Sequence, residues 1–317
     1  MKSKILFIAG SVLIFSSCFL VRRELRKQEK NMFEAQLAPV MFVSESGKHF
    51  GYEPLHPSSD KLNLLLVHGY SGSASGQYAG NVGELESYNL YVPDLLYHGS
   101  SKGNGDYSIE AQADHLYEWI SQTNLKGKCI VVASSYGGVV SARMVEKHPN
   151  LVSAFVIYDS PVGFYSSVYA DSLAHALGSK DAIDLLSPYD AASLKRQAQA
   201  GVYKPVNMPN FIAKEIAKRH FVPGIEDRKR LIQFMVNHED SLNAHHFQFQ
   251  VPVYLIWGKN DKLIPLKTGR AIQKAYGIPD NRLSVFDETG HVLNLEHPEQ
   301  FTNWIKSTFP PKPVTMP

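Results

Sequence analysis

Cysteine is nearly absent: the chain of 317 residues has two, Cys18 and Cys129. Two cysteines build no disulfide framework, and no Cys or His spacing resembles a zinc site. No metal and no cofactor is therefore expected. An excess of charge of one sign is also missing, with 32 Lys and Arg against 30 Asp and Glu, a net charge of +2. Basic residues do not interleave with aromatics in the body of the chain, so nucleic acid is not an expected partner. No internal repeat occurs.

What remains is the composition of a folded globular protein, 44% hydrophobic and 20% charged. The length suits one large core with an insertion, or two domains. Cys129 opens an apolar run and reads as a small core hydrophobe.

Residues 1–30 are expected to lie outside the fold. Lys2 and Lys4 precede a run from Ile5 to Val21 without a charge, and Arg22, Arg23, Arg26 and Lys27 follow it. The run sits at the short end of what spans a bilayer. Three readings fit: a signal anchor, a cleaved signal peptide, or a lipoprotein signal. Ile14-Phe15-Ser16-Ser17-Cys18 resembles the last, with Cys18 as the acylated N-terminus. Two of the three attach the chain to a membrane; the cleaved signal makes it secreted or periplasmic. The basic cluster after the run favours the cytoplasmic side of a membrane. No oligomeric state is assigned.

The rest alternates between strand and helix. Val40–Val43 and Phe50–Tyr52 read as a hairpin. Leu62–Val67, Leu90–Leu96, the run Ile130-Val131-Val132 that Cys129 opens, Ala154–Tyr158, Val251–Trp257 and Arg282–Phe286 read as strands. Apolar runs without alternation mark strands covered on both faces, as in a parallel sheet. Ser108–Gln122, Tyr136–Lys147, Leu266–Tyr276 and Pro298–Thr308 read as helices. Residues 162–248 lack a strong strand pattern and read as helical and rich in aromatics. The expected architecture is α/β: a mainly parallel sheet flanked by helices, its core in residues 31–161 and 249–317, with an inserted helical cap over 162–248.

In such sheets ligands bind at the carboxyl ends of the strands. His68-Gly69, His98-Gly99, Ser135, Asp159, Asp261 and His291 all follow strands. Ala133-Ser134-Ser135-Tyr136-Gly137 has the small-x-nucleophile-x-small spacing of a sharp strand-to-helix turn. Placing Ser134 at the apex would put Val132 and Tyr136 at the crowded positions, so Ser135 takes the apex. Taken alone, the stretch also reads as an ordinary Ser/Gly loop.

A serine hydroxyl needs a base to become a nucleophile. Among the 13 histidines, His291 stands out: it follows Thr289-Gly290 after the last strand. The base needs an orienting acid. Asp261, after the preceding strand, is the first choice, Asp159 the runner-up and Asp287 a distant third; Asp261 is also a candidate cap for the helix beginning near Pro265. The main-chain N–H of Tyr136 and that of Tyr70, in the loop after Leu62–Val67, are the expected oxyanion donors. His68 and His98 read as structural residues bonding loop backbone. His238, Glu239, Asp240, His245 and His246 read as a solvated polar cluster. The aromatics of the insertion read mostly as its own core, with some lining a pocket.

The motifs VHGYSGS, PDLLYHGSS, ASSYGG, WGKNDKLIP and ETGHVLNLEHP resemble the α/β-hydrolase fold superfamily, in the branch with a helical cap after the sixth strand. The resemblance covers approximately Leu62–Phe309. It implies a catalytic triad of Ser135, Asp261 and His291. The usual elbow has Gly and His where this chain has Ala133 and Ser134; Ala133 keeps the turn open, and Ser134 departs from any specific subfamily. A serine at the apex argues against the dehalogenases and epoxide hydrolases of this fold, which use Asp there. The expected function is serine hydrolysis of a small to medium apolar carboxylic ester. The alternatives are a carbon–carbon bond hydrolase, a monoacylglycerol-type lipase and, from another class, a non-catalytic ligand-binding protein of the same fold.

Overall fold

The computed structural model describes residue 19 and residues 21–312. The run from Ile5 to Cys18, with the proposed acylation site, lies outside the described residues. Among the described residues, no helix is long and apolar enough to cross a membrane.

The described residues include, first, helix α1 (21–34). A hairpin follows, β1 (Leu37–Ser44) and β2 (Gly47–Pro54), then β3 (Asn63–Val67), α2 (Ala74–Tyr78), β4 (Asn89–Asp94), the short β5 (Lys102–Gly103) and α3 (Ile109–Ser121). Next come β6 (Cys129–Ser134), α4 (Ser135–Lys147) and β7 (Val152–Tyr158). Six helices then succeed one another: α5 (Ser167–Ala176), α6 (Ala182–Leu186), α7 (Ala191–Gly201), α8 (Asn210–Ile216), α9 (Ile225–Asn237) and α10 (Glu239–Ala244). The chain returns with β8 (Val253–Gly258), α11 (Leu266–Ala275), β9 (Leu283–Phe286), α12 (Leu293–Glu296) and α13 (Pro298–Thr308).

The sheet order is β1-β2-β4-β3-β6-β7-β8-β9, with β5 beside β2. β1 and β2 pair antiparallel with each other, and β2 pairs antiparallel with β4. From β4 to β9 every neighbouring pair is parallel. The central strands explain why their sequences do not alternate. In β3, Leu65 and Val67 join one core while Leu64 and Leu66 join the other. In β6, Val131 and Ala133 face the first core and Ile130 and Val132 the second. A strand covered on both faces must be apolar at every position. The largest side chains on the first face are Trp119 of α3 and Trp257 of β8, both fully buried; each such burial contributes roughly 1.5–3 kcal/mol.

The six helices between β7 and β8 contain no strand and carry small cores of their own. One is Ala174, Leu185 and Ala200, the other Leu194, Ala213 and Ala217. Their starts are written in the sequence. Ser166 caps α5 through the Tyr169 amide, Asp181 caps α6 through Asp184, and Asp190 forms a reciprocal capping box with Ser193 on α7.

Residues up to 30 are expected outside the fold; of those described, Val21 is buried, and Val21, Glu24 and Gln28 line a cavity together with core residues. Just past that boundary Met32 is fully buried in the second core, and the Asn31 side-chain amide donates to the Ala79 carbonyl at 3.0 Å. The charges in this stretch mask its helical spacing. Val21, Glu24 and Gln28 stand three and four residues apart and share one face.

Candidate active site

β6 ends at Ser134 and α4 begins at Ser135 with no residue between them. Chain reversal in so little space forces Ser135 to φ 48°, the left-handed region, although it carries a Cβ. The turn closes only because its neighbours are small. A Cβ on Gly137 would stand 2.2 Å from the His68 carbonyl oxygen. Ser135 lines a cavity. Ser134 is buried beneath Gly69 instead: a Cβ on Gly69 would come within 3.5 Å of its Oγ.

The four strands β6, β7, β8 and β9 are consecutive in the sheet, so Ser135, Asp159, Asp261 and His291 emerge side by side at their carboxyl ends. His291 Nε2 lies 2.8 Å from Ser135 Oγ, and His291 Nδ1 lies 2.8 Å from Asp261 Oδ2. With its proton on Nδ1, facing the carboxylate, the imidazole leaves Nε2 to accept from the serine hydroxyl. The Asp261 side chain is fully buried, and its other oxygen accepts the amides of Leu263 (2.8 Å) and Ile264 (2.9 Å). One carboxylate thus both holds the imidazole and orders the turn leading into α11.

Asp159 lies in the same row but meets different partners. Its Oδ1 accepts the Gly258 amide at 2.8 Å, and its buried Oδ2 has no hydrogen-bond partner. Burial first, and then the neighbouring Asp261 charge, hold this carboxyl well above the ordinary range. Asp287 is out at the surface, paired with Lys259 at 2.6 Å. The structure therefore brings Asp261 to the imidazole and neither of the other two acids.

The loop carrying His291 is clamped at both ends. The His291 amide donates to the Gly201 carbonyl at the end of α7, at 2.7 Å. Glu296 accepts the Gly290 amide through one oxygen (2.9 Å) and the Tyr203 amide through the other (2.8 Å). Glu296 and Ser160, whose hydroxyl donates to the Ser135 carbonyl, have no signature in the sequence; only the folded loops reveal them.

Tyr70 and Tyr136 both line the cavity, with their rings edge to face at 6.2 Å. The Tyr136 amide is in the first turn of α4, where N–H groups have no intrahelical acceptor. The loop bearing Tyr70 is fixed by its neighbours: the Gly69 amide donates to Gln77 Oε1 at 2.9 Å, and His68 Nε2 accepts the Leu95 amide at 3.0 Å. His98 Nδ1 lies 2.8 Å from the Leu96 carbonyl. Burial pushes the Tyr70 phenol up to about 12, and its hydroxyl meets Ser187 at 2.9 Å.

The cavity above the elbow measures about 810 Å³. Its far wall is aliphatic, with Leu185, Leu194, Ile216, Ile232 and Met235 from the helical block. Of the aromatics in that block, Tyr165 and Phe221 reach the cavity, while Tyr189 and Phe211 point to solvent. Val21, Glu24 and Gln28 of α1 complete the lining. The polar cluster at the end of the block is dispersed: His245 meets Glu146 at 2.8 Å, and His238 stacks on Phe234.

A family model described as alpha/beta hydrolase fold matches residues 63–298. The chain belongs to the α/β-hydrolase fold family. Within it, the chain is 28% identical over 235 residues to Lipase 1 of Psychrobacter immobilis, covering 74% of this chain and 72% of that one. It is 25% identical over 267 residues to 2-hydroxymuconate semialdehyde hydrolase of Pseudomonas putida, covering 80% and 89%. The fold is similar to that of 2-hydroxy-6-oxo-6-phenylhexa-2,4-dienoate hydrolase from Rhodococcus sp. strain RHA1, with TM-score 0.70 at 19% identity over 86% of this chain and 98% of that one. These likenesses support a hydrolase of the α/β fold.

Proposed function

We propose that this α/β hydrolase is a serine esterase of the lipase type, cleaving a carboxylic ester through an acyl-enzyme. The observation that carries the reading is the Ser135–His291–Asp261 chain of two 2.8 Å contacts opening into an apolar cavity. Ser135 Oγ attacks the ester carbonyl while His291 Nε2 takes its proton. The Asp261 carboxylate holds the tautomer and stabilises the imidazolium. The amides of Tyr136 and Tyr70 receive the oxyanion. His291 returns the proton to the leaving alcohol. Water then gives a proton to His291 as its oxygen attacks the acyl carbon; the bond from that carbon to Ser135 Oγ breaks, His291 returns the proton to Oγ, and the acid leaves.

A fluorophosphonate probe is expected to label Ser135, and Ser135→Ala to abolish turnover of p-nitrophenyl esters. Label on another residue, or retained turnover, rejects the mechanism. The relative from P. putida motivates a second reading, a carbon–carbon bond hydrolase. Faster turnover of a ring-cleavage dienoate than of any ester in a chain-length series would favour that reading. Membrane attachment through the segment before residue 19 belongs to the same proposal. A mature protein whose mass matches an unmodified chain from Met1 excludes both cleavage and acylation at Cys18.

A further inference from the structure

Among the described residues, the lining of the apolar cavity includes one buried arginine that forms no ion pair. Arg143, Arg196 and Arg219 each pair with an acid, namely Glu110, Asp184 and Glu215. Arg228, in the first turn of α9, is 5% exposed and lines the cavity. It pairs with no carboxylate among the described residues. Its Nη1 donates to the Pro223 carbonyl at 2.8 Å and its Nη2 to the Phe221 carbonyl. Asp227, the adjacent acid, accepts the Tyr107 hydroxyl at 2.8 Å.

Two carbonyls are a partial answer to a buried charge. A guanidinium has five N–H donors, and taking such a charge out of water costs several kcal/mol unless a counter-charge meets it. The local dipole gives no help either: a cation in the first turn of α9 sits at the positive end of that helix. Burial also works against the charged state of Arg228, more than the Tyr70 phenol and the Asp227 charge work for it. The groups around it in the cavity are the Tyr70 phenol, His220 and the apolar side chains of Ile232 and Met235. Glu24, on α1, is the acid among the lining residues. A buried guanidinium without a directly paired carboxylate, in an otherwise aliphatic chamber, suits an amphiphile. The apolar part packs on the wall, and an oxyanion takes the planar N–H fork through charge-assisted bonds.

We propose that Arg228 forms an anion subsite of the cavity, and that the hydrolysed ester carries a carboxylate or phosphate away from its scissile bond. The inference deepens the esterase reading and rests on it for the word substrate. The binding it claims stands apart from turnover.

Binding is measured first, on Ser135→Ala protein, with octyl phosphate, octanoate and octan-1-ol as probes in titration calorimetry. At least one anion is expected to bind about tenfold or more tighter than the alcohol, the size of one charge-assisted hydrogen bond. Adding Arg228→Gln should erase the difference, and Arg228→Lys should restore part of it. Equal affinity for the three probes, or an advantage that survives Arg228→Gln, overturns the subsite. Turnover is then compared within matched pairs. Mono-p-nitrophenyl adipate against p-nitrophenyl hexanoate reads a carboxylate, and 1-acylglycerol 3-phosphate against 1-acylglycerol reads a phosphate. Because each result is a ratio, a general loss of activity in a variant cancels. A ratio that drops on Arg228→Gln for one pair supports the subsite and names its anion. Ratios unmoved in both pairs overturn the claim about the substrate. Charge-dependent binding without turnover of any ester supports the subsite and rejects the esterase reading.

Discussion

The hydroxyl of Ser160 donates to the main-chain carbonyl of Ser135 across 2.5 Å. Ser135 is in a backbone region that costs a non-glycine residue about 1–3 kcal/mol. Something must hold it there, and this bond joins the end of β7 to the strained residue. Ser160→Ala removes the bond from β7 but leaves that carbonyl its intrahelical acceptor role at the start of α4, so stability in urea unfolding is expected to fall by about 0.5–1.5 kcal/mol. Ester turnover should show a lower kcat with KM little changed. An unchanged kcat would mean that packing alone holds the elbow.

Asp261 and Asp159 sit at neighbouring strand ends and should respond oppositely to the same change. Asp261→Asn reverses the orientation of the imidazole proton, and a loss of kcat on the order of 10⁴ is expected. Burial and the neighbouring Asp261 hold the Asp159 carboxyl well above the ordinary range, which favours its neutral form, and Asp159→Asn keeps an acceptor for Gly258. Its kcat should stay within about tenfold of the parent, the effect of roughly 1.4 kcal/mol. The reverse pattern would make Asp159 the acid.

The loop that presents His291 passes directly over Gly258. A Cβ there would stand 1.9 Å from the Gly290 carbonyl oxygen and 2.8 Å from that of Thr289. Gly258→Ala must displace the loop, and a shift of about 1 Å costs on the order of a hundredfold in rate. Stability should fall by about 1–3 kcal/mol as well. Gly80→Ala is the matched control, since a Cβ at Gly80 meets nothing within 4 Å; it should leave both quantities unchanged in the same assays.

Two buried imidazoles make the fold sensitive to acid. Burial lowers His68 from 6.5 to about 4 and His115 from 6.5 to about 3. The unfolded chain takes up these protons near pH 6.5 and the folded chain does so only far below. Their stabilisation is therefore complete above pH 6.5 and is lost as pH falls toward about 4 and about 3. Each contributes a slope of up to about 1.4 kcal/mol per pH unit. Urea midpoints should be level between pH 7 and 8 and drop steeply from pH 6 to 5. His115→Gln keeps a donor for the Asp94 carbonyl, which His115 Nε2 meets at 3.0 Å, and should make the acid slope shallower without abolishing it, since burial also lowers His98 and His49. A slope unchanged by that substitution would place the acid sensitivity elsewhere.

Much of this was legible before folding. The runs Leu64–Val67 in β3 and Ile130–Ala133 in β6 are apolar throughout because both faces are covered, which is what a parallel sheet demands. Ser135, Asp261 and His291 were legible because each follows a strand, and a parallel sheet gathers such residues at one edge. Other features carry no periodic signal. Glu296 matters through amides at Gly290 and Tyr203, the latter in the helical block, far away in sequence. Arg228 lies within Ile225-Glu226-Asp227-Arg228-Lys229-Arg230, an unbroken run of charges in which nothing marks the one member that the fold buries. α1 was obscured in the same way, its shared face of Val21, Glu24 and Gln28 hidden among basic residues.

That helix has a practical consequence for anyone preparing the protein. Removing the N-terminal segment up to residue 30 to aid expression would take away Val21, Glu24 and Gln28, which line the cavity. The shortened protein would keep the Ser135–His291 pair and still react with a small ester. Its chain-length preference, though, would be measured on a chamber missing part of its side, and would describe the truncation rather than the enzyme.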